Sequence, residues 1–201
     1  MAIPKVLLFD LGGVLVDFAG LQELPRLLAT PMNPQDLRRK WANSPAVGLF
    51  ETGRCSEREF AATFIEEWGL ALGSDEFLDE FRLWVRAPYP ETAELIGGLR
   101  GRYTLACFSN TNATHWGRVL QMHALGPVRD HPFLSYQLGL MKPSREAFAQ
   151  VVRRLGCEPA EIAVFDDGAQ NVDGAAMAGL SAHQTVGPVA LRNALQGLGL
   201  L

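Results

Sequence analysis

Polar residues that could hold a metal ion or react with a substrate follow three apolar segments of the sequence. Asp10 follows the first segment, the polar stretch 109–112 follows the second, and the pair Asp166 and Asp167 follows the third. Adjacent carboxylates repel each other unless a cation or hydrogen-bond donors compensate. Together with Asp10 the pair forms a set of oxygen ligands of the kind that Mg²⁺ prefers. The sequence therefore predicts a magnesium site.

Lys142 could bring a positive charge to the same place. It lies in the segment MKP, just before a predicted helix. An ammonium group there could neutralise an anion that is held beside the metal. A lysine in such a segment is by itself typical of a solvated surface, so its assignment to the site depends on the acidic residues.

Four short apolar runs predict the buried strands that would position these residues. Helical patterns lie between the later runs: residues 91–99 carry an apolar face, and Ser144 is a predicted N-cap for a helix that Gly156 ends. Strands that alternate with helices predict an α/β fold, a doubly wound parallel sheet whose ligands lie at the carboxyl ends of the strands. The predicted strands are residues 5–9, 103–108, 162–165 and 182–186.

The segment 17–87 differs, because it carries helix signals and no strand pattern. Asn33 precedes a proline as a predicted N-cap, Ser56 and Glu59 form a capping box, and Ser74 begins another helix. The aromatic stripes of these helices are typical of core packing. We therefore expect a helical domain at 17–87, inserted into a Rossmann-like core domain made of residues 1–16 and 88–201.

Composition narrows the class of protein. The chain has 201 residues, 48% of them hydrophobic, which is enough for one sizeable core. The net charge of −4, without a long run of one sign, argues against nucleic-acid and membrane partners. The three cysteines are widely spaced, which predicts free thiols, and no segment reaches the roughly 20 apolar residues of a membrane span. We expect a cytoplasmic protein; its oligomeric state stays open.

Four motifs, in order along the chain, resemble those of the haloacid dehalogenase (HAD) superfamily, in particular its phosphatase branch. They are FDLGGVL (9–15), FSNT (108–111), MKP (141–143) and FDDGAQNVDGA (165–175), and with the helical insertion they cover essentially the whole chain. Motifs in this order form a specific signal, although each alone is weak. The resemblance implies a Mg²⁺-dependent phosphatase that hydrolyses a small phosphorylated metabolite, with a sugar phosphate as the leading expectation. The insertion is similar to the family's cap, which closes over the pocket.

The resemblance implies catalytic roles for Asp10, Ser109 and Lys142, and a phosphate-binding role for Asn110. Asp10 would be the nucleophile that forms an aspartyl-phosphate, which water then hydrolyses. Ser109 and the backbone amide of Asn110 would bind the transferring phosphoryl group. Lys142 would neutralise both the nucleophile and the phosphoryl oxygens.

The resemblance also implies the metal ligands. Asp10, the backbone carbonyl of Gly12 and Asp167 would bind Mg²⁺ directly. Asp166 would be either a ligand or a partner that supports one. Asn171 falls where family members often carry a polar residue that supports the site.

One position departs from the phosphatase pattern. Gly12 stands where that pattern has a second aspartate, the general acid whose contribution is typically ~10²–10⁴-fold. Three readings follow. The substrate could have a good leaving group, as in the Asp-Leu-Gly subgroup of sugar-1-phosphate phosphatases that this motif resembles. The chain could be a metal-independent 2-haloacid dehalogenase, which explains Gly12 but not the acidic pair. It could also be a catalytically weakened protein that binds a phosphorylated ligand or a partner.

Other residues are candidates for contact with the substrate. Asp17 and His115 could replace the missing acid, although a hinge residue and a surface helix residue are the more ordinary interpretations. The segment ETGR (51–54), expected in a loop before a helix of the insertion, could approach the pocket. The basic run 38–40 could steer phosphate, although such a run is usually the solvated face of a helix.

Overall fold

The computed structural model describes residues 3–201, and the strands found there form two sheets. The larger sheet has five parallel strands in the spatial order fifth, fourth, first, sixth and seventh along the chain. The second and third strands form a separate antiparallel pair. The strands are β1 (Val6–Phe9), β2 (Val16–Phe18), β3 (Val85–Pro88), β4 (Thr104–Ser109), β5 (Pro132–Leu134), β6 (Ile162–Asp166) and β7 (Ser181–Gln184).

The central strand β1 sets the register of the parallel sheet. Phe9, its last residue, lies opposite Cys107 of β4 on one side and Phe165 of β6 on the other. All residues of β1 are buried, as expected for a strand that helices cover on both faces. Asp10 and the last residues of β4 and β6 consequently meet at one edge of the sheet. The predicted doubly wound α/β fold is confirmed.

Two strands differ from the prediction. β5 was not expected from the sequence: it has three residues, begins with a proline and lies at an edge of the sheet, where a missing backbone N–H is tolerated. β7 covers Ser181–Gln184 rather than the expected 182–186. Short strands at sheet edges have too few buried positions to give a clear apolar pattern.

Helices flank both sheets, and several begin and end where their capping residues predict. The side chains of Asn33, Ser56 and Ser144 each accept a hydrogen bond from the first turn of the helix that follows, and Ser56 forms the predicted capping box with Glu59. The helices are α1 (Gly20–Leu27), α2 (Pro34–Ala42), α3 (Pro45–Glu51), α4 (Glu57–Trp68), α5 (Ser74–Leu83), α6 (Thr92–Leu99), α7 (Ala113–Val119), α8 (Ser135–Leu138), α9 (Arg145–Leu155), α10 (Ala169–Met177) and α11 (Gly187–Gly197).

Helices α1–α5 form the helical insertion and bury an aromatic core of their own. The rings of Phe60, Phe64 and Phe77 contact one another with centroids 5.0–5.9 Å apart. Such pairs add about 0.5–1.5 kcal/mol each beyond the area that they bury. The stripes therefore act as core, as predicted. The other buried aromatic residues of this core are Phe50, Trp68, Phe81 and Trp84.

The expectation that 17–87 contains no strand is wrong. β2 and β3 form an antiparallel pair at the two ends of the insertion, with Phe18 opposite Val85 and Val16 opposite Pro88. A guanidinium–carboxylate pair at 3.3 Å joins Arg86 to Asp17 across it. Strands this short show too little alternation for sequence reasoning to detect.

Two further expectations concern the chain as a whole. All three cysteines are free thiols, and Cys107 is fully buried in the sheet. Among residues 3–201, none of the helices has the length and apolar character needed to span a bilayer.

Candidate active site

Three aspartates converge at the carboxyl edge of the sheet. Asp10 follows β1, Asp166 ends β6, and Asp167 comes next in the chain. One carboxylate oxygen of each lies within 4.8 Å of the others. The structure thus brings together residues that are far apart in the sequence, as the strand pattern predicts.

Lys142 lies against two of these aspartates and is only 4% exposed. Its Nζ atom is 3.1 Å from Oδ1 of Asp10 and 2.5 Å from Oδ2 of Asp166, and it donates a hydrogen bond of 2.8 Å to the carbonyl oxygen of Phe108. Burial disfavours the ammonium charge, but the two carboxylates outweigh this effect and raise the pKa of Lys142. Lys142 is therefore a buried cation of the site and not a solvated surface lysine.

Asp166 has donors at both carboxylate oxygens and is 1% exposed. Oδ2 accepts from Lys142, while Oδ1 accepts from the backbone N–H of Gly168 and from Nδ2 of Asn171, both at 2.9 Å. A carboxylate held by so many donors has a fixed orientation. Asn171 lies beside the acidic cluster through this contact.

Asp10 and Asp167 carry excess negative charge. Burial raises the pKa of Asp10 to about 7; Lys142 opposes this effect, whereas Asp166 and Asp167 add to it. Burial and the charge of Asp166 also raise the pKa of Asp167. Repulsion of this kind favours either protonation or a bound cation, and oxygen donors suit a hard divalent ion such as Mg²⁺. The residues present therefore fit the metal that the family implies.

Gly13 makes room for one of these carboxylates. A Cβ atom at this position would lie 2.4 Å from Oδ2 of Asp167, and the backbone of Gly13 has φ +75°, in the left-handed region. A side chain would be strained there and would displace the Asp167 carboxylate. The glycine therefore forms a cradle for Asp167.

Ser109 and Asn110, at the end of the neighbouring strand β4, line the same cavity as Asp10. Ser109 is the last residue of β4 and is 5% exposed. The side-chain amide of Asn110 makes two hydrogen bonds of 2.9 Å to the backbone of Lys142, one to its N–H and one to its carbonyl oxygen. Asn110 thereby fixes the position of the lysine relative to Asp10.

A cavity of about 710 Å³ separates this sheet edge from the helical insertion. Its size is typical of small-molecule sites. The core side contributes Asp10, Asp167, Ser109 and Lys142, and the residues from the insertion include Leu37, Arg38, Trp41 and Glu51. The basic run 38–40 thus reaches the cavity through Arg38, which is exposed and lowers the pKa of Asp167 slightly against the larger effect of burial.

Glu51 lines the cavity, in a setting that differs from the loop that the sequence predicts. It is the last residue of α3 rather than part of a loop, and its side chain is half-buried. Burial raises its pKa to about 7; the negative charge of Asp10 adds to this effect and Lys142 opposes it. The sequence places Glu51 before a capping box, but the approach to Asp10 depends on how the insertion folds over the sheet.

His115 is buried, so the expectation of a surface helix residue is wrong. The side chain is 4% exposed, and Nε2–H donates a hydrogen bond of 2.8 Å to the carbonyl oxygen of Phe81 in α5. Nδ1 faces the side-chain amide of Asn112 at 3.3 Å. Nε2 therefore joins α7 to the insertion, whereas the Nδ1 contact stays within the start of α7, because Asn112 is the N-cap of that helix.

The space beside Gly12 is occupied. A Cβ atom on Gly12 would lie 3.3 Å from Cβ of Phe18, at the start of the insertion. Asp17, the other candidate acid, pairs with Arg86 instead. The position that the phosphatase pattern gives to its second aspartate thus holds no acidic side chain.

A parallel sheet that presents acidic residues and a buried lysine to a cavity beneath a helical insertion defines a class of α/β enzymes. The family model described as haloacid dehalogenase-like hydrolase matches residues 4–179, and the chain belongs to this family of hydrolases.

The chain is also similar to individual proteins in sequence or in fold. The chain is 27% identical over 175 residues to the D-ribitol-5-phosphate phosphatase of Bacteroides thetaiotaomicron, a match that covers 84% of this chain and 85% of that protein. A HAD family enzyme from the same organism, solved with magnesium and inorganic phosphate, superimposes with a TM-score of 0.71 at 23% identity, covering 90% of this chain and 94% of that one. An L-2-haloacid dehalogenase from Xanthobacter autotrophicus superimposes with a TM-score of 0.66 at 18% identity, and the match covers 96% of this chain and 88% of that one.

Proposed function

We propose that this HAD-like hydrolase is a Mg²⁺-dependent phosphatase whose substrate is a small sugar or polyol phosphate. The observation that carries the proposal is the convergence of Asp10, Asp166 and Asp167 within 4.8 Å, with Lys142 against two of them. The acidic cluster favours this function over metal-independent dehalogenation. The name of the D-ribitol-5-phosphate phosphatase relative supports the substrate class.

In this proposal Asp10 attacks phosphorus, and an aspartyl-phosphate forms as the bond to the leaving oxygen breaks. Lys142 lies 3.1 Å from the nucleophile and offsets the charge that Asp10 and the phosphoryl oxygens share. Ser109 and the backbone amide of Asn110 bind those oxygens. Fixing the reactants in this geometry lowers the barrier, since a carboxylate is a weak nucleophile in free solution.

Asp10, the carbonyl of Gly12 and Asp167 would hold Mg²⁺. The bound ion supplies positive charge that relieves the repulsion between the nucleophile and the phosphate. Asp166 acts as a support, because Lys142, Gly168 and Asn171 already occupy its oxygens.

Residues 17–87 serve as the cap domain in this proposal, and residues 1–16 with 88–201 serve as the core. The cap supplies Arg38, Trp41 and Glu51 to the cavity, and the core supplies the reacting groups. A cover of this kind excludes water and selects the substrate. Cavity residues from the cap therefore set which phosphate ester fits.

The function can be tested with a panel of sugar and polyol phosphates that carry the phosphate ester at position 1 or at position 5. Release of inorganic phosphate is measured with and without Mg²⁺. The expected result is turnover that requires Mg²⁺ and falls by about 10³-fold or more in Asp10→Asn, because the amide is a far weaker nucleophile. Near-wild-type turnover by Asp10→Asn would refute the assignment. The exposed Asp173→Asn provides a charge-matched control.

A further inference from the structure

We propose that Glu51 is the proton donor to the leaving oxygen of the substrate. The inference rests on the proposed phosphatase function and assigns the acid that position 12 lacks. The need for an acid follows from the leaving group: an alkoxide is strongly basic, and its departure from phosphorus is slow unless a proton reaches the oxygen as the bond breaks. A sugar or polyol phosphate with an ordinary alcohol ester has such a leaving group.

Glu51 is placed to supply that proton. Apart from Asp10 and Asp167, it is the one carboxyl group among residues 3–201 that lines the cavity. It belongs to helix α3 of the insertion, whereas Asp10 and Lys142 belong to the sheet edge, and all three residues line the same cavity. The negative charge of Asp10 influences Glu51, which shows that the two carboxyl groups face a common space. In this proposal the phosphoryl group and its leaving oxygen lie in this cavity, with Asp10 and Glu51 both facing it.

The chain just after Glu51 is anchored to the core. A Cβ atom on Gly53 would lie 2.3 Å from the carbonyl oxygen of Tyr136, which follows β5, and Gly53 has φ +68°. Only a glycine allows this approach of the two backbones. The contact holds the end of α3 over the cavity and so fixes where the Glu51 carboxyl lies relative to the sheet edge.

The protonation state of Glu51 suits the role. Burial raises its pKa to about 7, with Asp10 adding to the effect and Lys142 opposing it, so that the carboxyl group retains its proton near neutral pH in a substantial fraction of molecules. A general acid is most effective when its pKa lies near the working pH.

The competing groups around the cavity are less suited. His115 uses both ring nitrogens in hydrogen bonds, and Asp17 pairs with Arg86. Tyr89 lines the cavity, but burial and nearby carboxylates raise the pKa of its phenol above the ordinary value, which makes it a weaker acid still.

The proposed reaction has two steps, and Glu51 gives up its proton in the first and regains a proton in the second. An oxygen of Asp10 forms a bond to phosphorus, the phosphorus–ester oxygen bond breaks, and the proton of the Glu51 carboxyl passes to that oxygen, giving a neutral alcohol and the Glu51 carboxylate. Water then attacks phosphorus, the bond to Asp10 breaks, and the proton that water loses returns to Glu51. The enzyme is thereby restored with inorganic phosphate as the product.

A leaving-group series tests the inference. We would measure kcat/KM for 4-nitrophenyl, phenyl and ethyl phosphate with saturating Mg²⁺, in the wild type and in Glu51→Gln. None of these compounds carries a sugar hydroxyl, so a role of Glu51 in hydroxyl binding alone predicts no trend along the series. If Glu51 is a proton donor, Glu51→Gln should lower kcat/KM for ethyl phosphate by ~10²–10⁴-fold. The decrease for 4-nitrophenyl phosphate should be at least about tenfold smaller, because its phenolate leaves without a proton.

Three further variants sharpen the result. Gly53→Ala, which displaces the end of α3, should reproduce the leaving-group dependence of Glu51→Gln. Glu66→Gln, an exposed site on α4, should keep wild-type rates, and Tyr89→Phe should show no trend along the series. Thermal unfolding of each variant reports whether the fold is intact.

The inference would be overturned if Glu51→Gln lowered kcat/KM equally for all three esters. It would also be overturned if the dependence on the leaving group appeared in Tyr89→Phe and not in Glu51→Gln. Failure of the phosphatase function itself is distinguishable, because the wild type would then release no phosphate from these esters or from the sugar and polyol phosphates of the panel; that result would overturn both proposals.

Discussion

The ammonium group of Lys142 lies 2.5 Å from Oδ2 of Asp166, and both side chains are almost fully buried. Lys142 is also 3.1 Å from Asp10, so one cation compensates two carboxylates inside the protein. Removal of that cation would leave buried negative charge without its partner. The pair is therefore central to stability as well as to the proposed chemistry.

Lys142→Met should destabilise the protein by about 3–5 kcal/mol, the usual cost of breaking a buried ion pair on one side. Urea unfolding of the metal-free protein measures this change. The double variant Lys142→Met with Asp166→Asn should recover part of the loss, since it removes the unpaired charge as well. A decrease of less than about 1 kcal/mol in the unfolding free energy of Lys142→Met would contradict the prediction, because it is the size expected for a weak surface ion pair.

Mg²⁺ should stabilise the folded protein, because it binds the acidic cluster that only the folded chain assembles. A concentration of 100 times Kd raises the free energy of unfolding by about 2.7 kcal/mol. Asp167→Asn should abolish most of this gain, and the exposed Asp173→Asn should keep it. Chemical unfolding with Mg²⁺ and with EDTA provides the measurement, and it does not depend on activity.

The same cation distinguishes the proposed phosphatase from a metal-independent dehalogenase. EDTA should stop phosphate release from any ester that the wild type hydrolyses. Turnover of 2-haloacids that persists in EDTA, with no phosphatase activity in Mg²⁺, would favour the dehalogenase instead.

His115 should make stability depend on pH. Burial lowers the pKa of His115 to about 4, against about 6.5 in an unfolded chain. Between these values the unfolded state binds the proton more readily, so stability is full above pH 6.5 and declines as the pH falls towards 4. The decline from this residue amounts to about 3 kcal/mol.

His115→Gln isolates the effect, since glutamine keeps an N–H donor for the carbonyl of Phe81. The difference in unfolding free energy between the wild type and this variant should narrow as the pH falls from 6.5 to 4. The exposed His131→Gln serves as the control and should leave the pH dependence of the wild type nearly unchanged. A difference that stays constant across this range would show that His115 is not the titrating group.

Gly13→Ala should weaken Mg²⁺ binding, because a Cβ atom there lies 2.4 Å from Oδ2 of Asp167. The left-handed backbone adds a strain of about 1–2 kcal/mol. Gly101→Ala is a matched control: Gly101 has φ +80° but nothing within 4 Å of its Cβ position. Both variants should lose stability through the backbone strain, Gly13→Ala the more because of the contact with Asp167, whereas only Gly13→Ala should raise the Kd for Mg²⁺, by about tenfold or more in unfolding titrations. Equal Kd values for the two variants would contradict the role of the cradle.

The sequence predicted the core better than the interface between the core and the insertion. Asp10 and Asp166 directly follow apolar strands, so the parallel sheet brings them together whatever the loops do. Capping residues such as Ser56 predicted helix ends because their effect is local. Glu51 and His115 depend instead on how helices of the insertion lie over the sheet, and no periodic pattern encodes that arrangement. Gly12 pointed to a missing acid, but only the structure offers Glu51 as its replacement.

The ribbon formed by β2 and β3 limits how the insertion can move. Both crossings between the two parts of the chain pass through this one hydrogen-bonded pair, with Phe18 opposite Val85. Two hydrogen-bonded strands resist sliding and twisting relative to each other more than two separate linkers would. Rotation of the insertion about one axis, as at a hinge, is therefore the motion that this connection favours. Admission of a substrate and departure of its products would then share one path, and the contact of Gly53 with Tyr136 would return Glu51 to the same position at each closure.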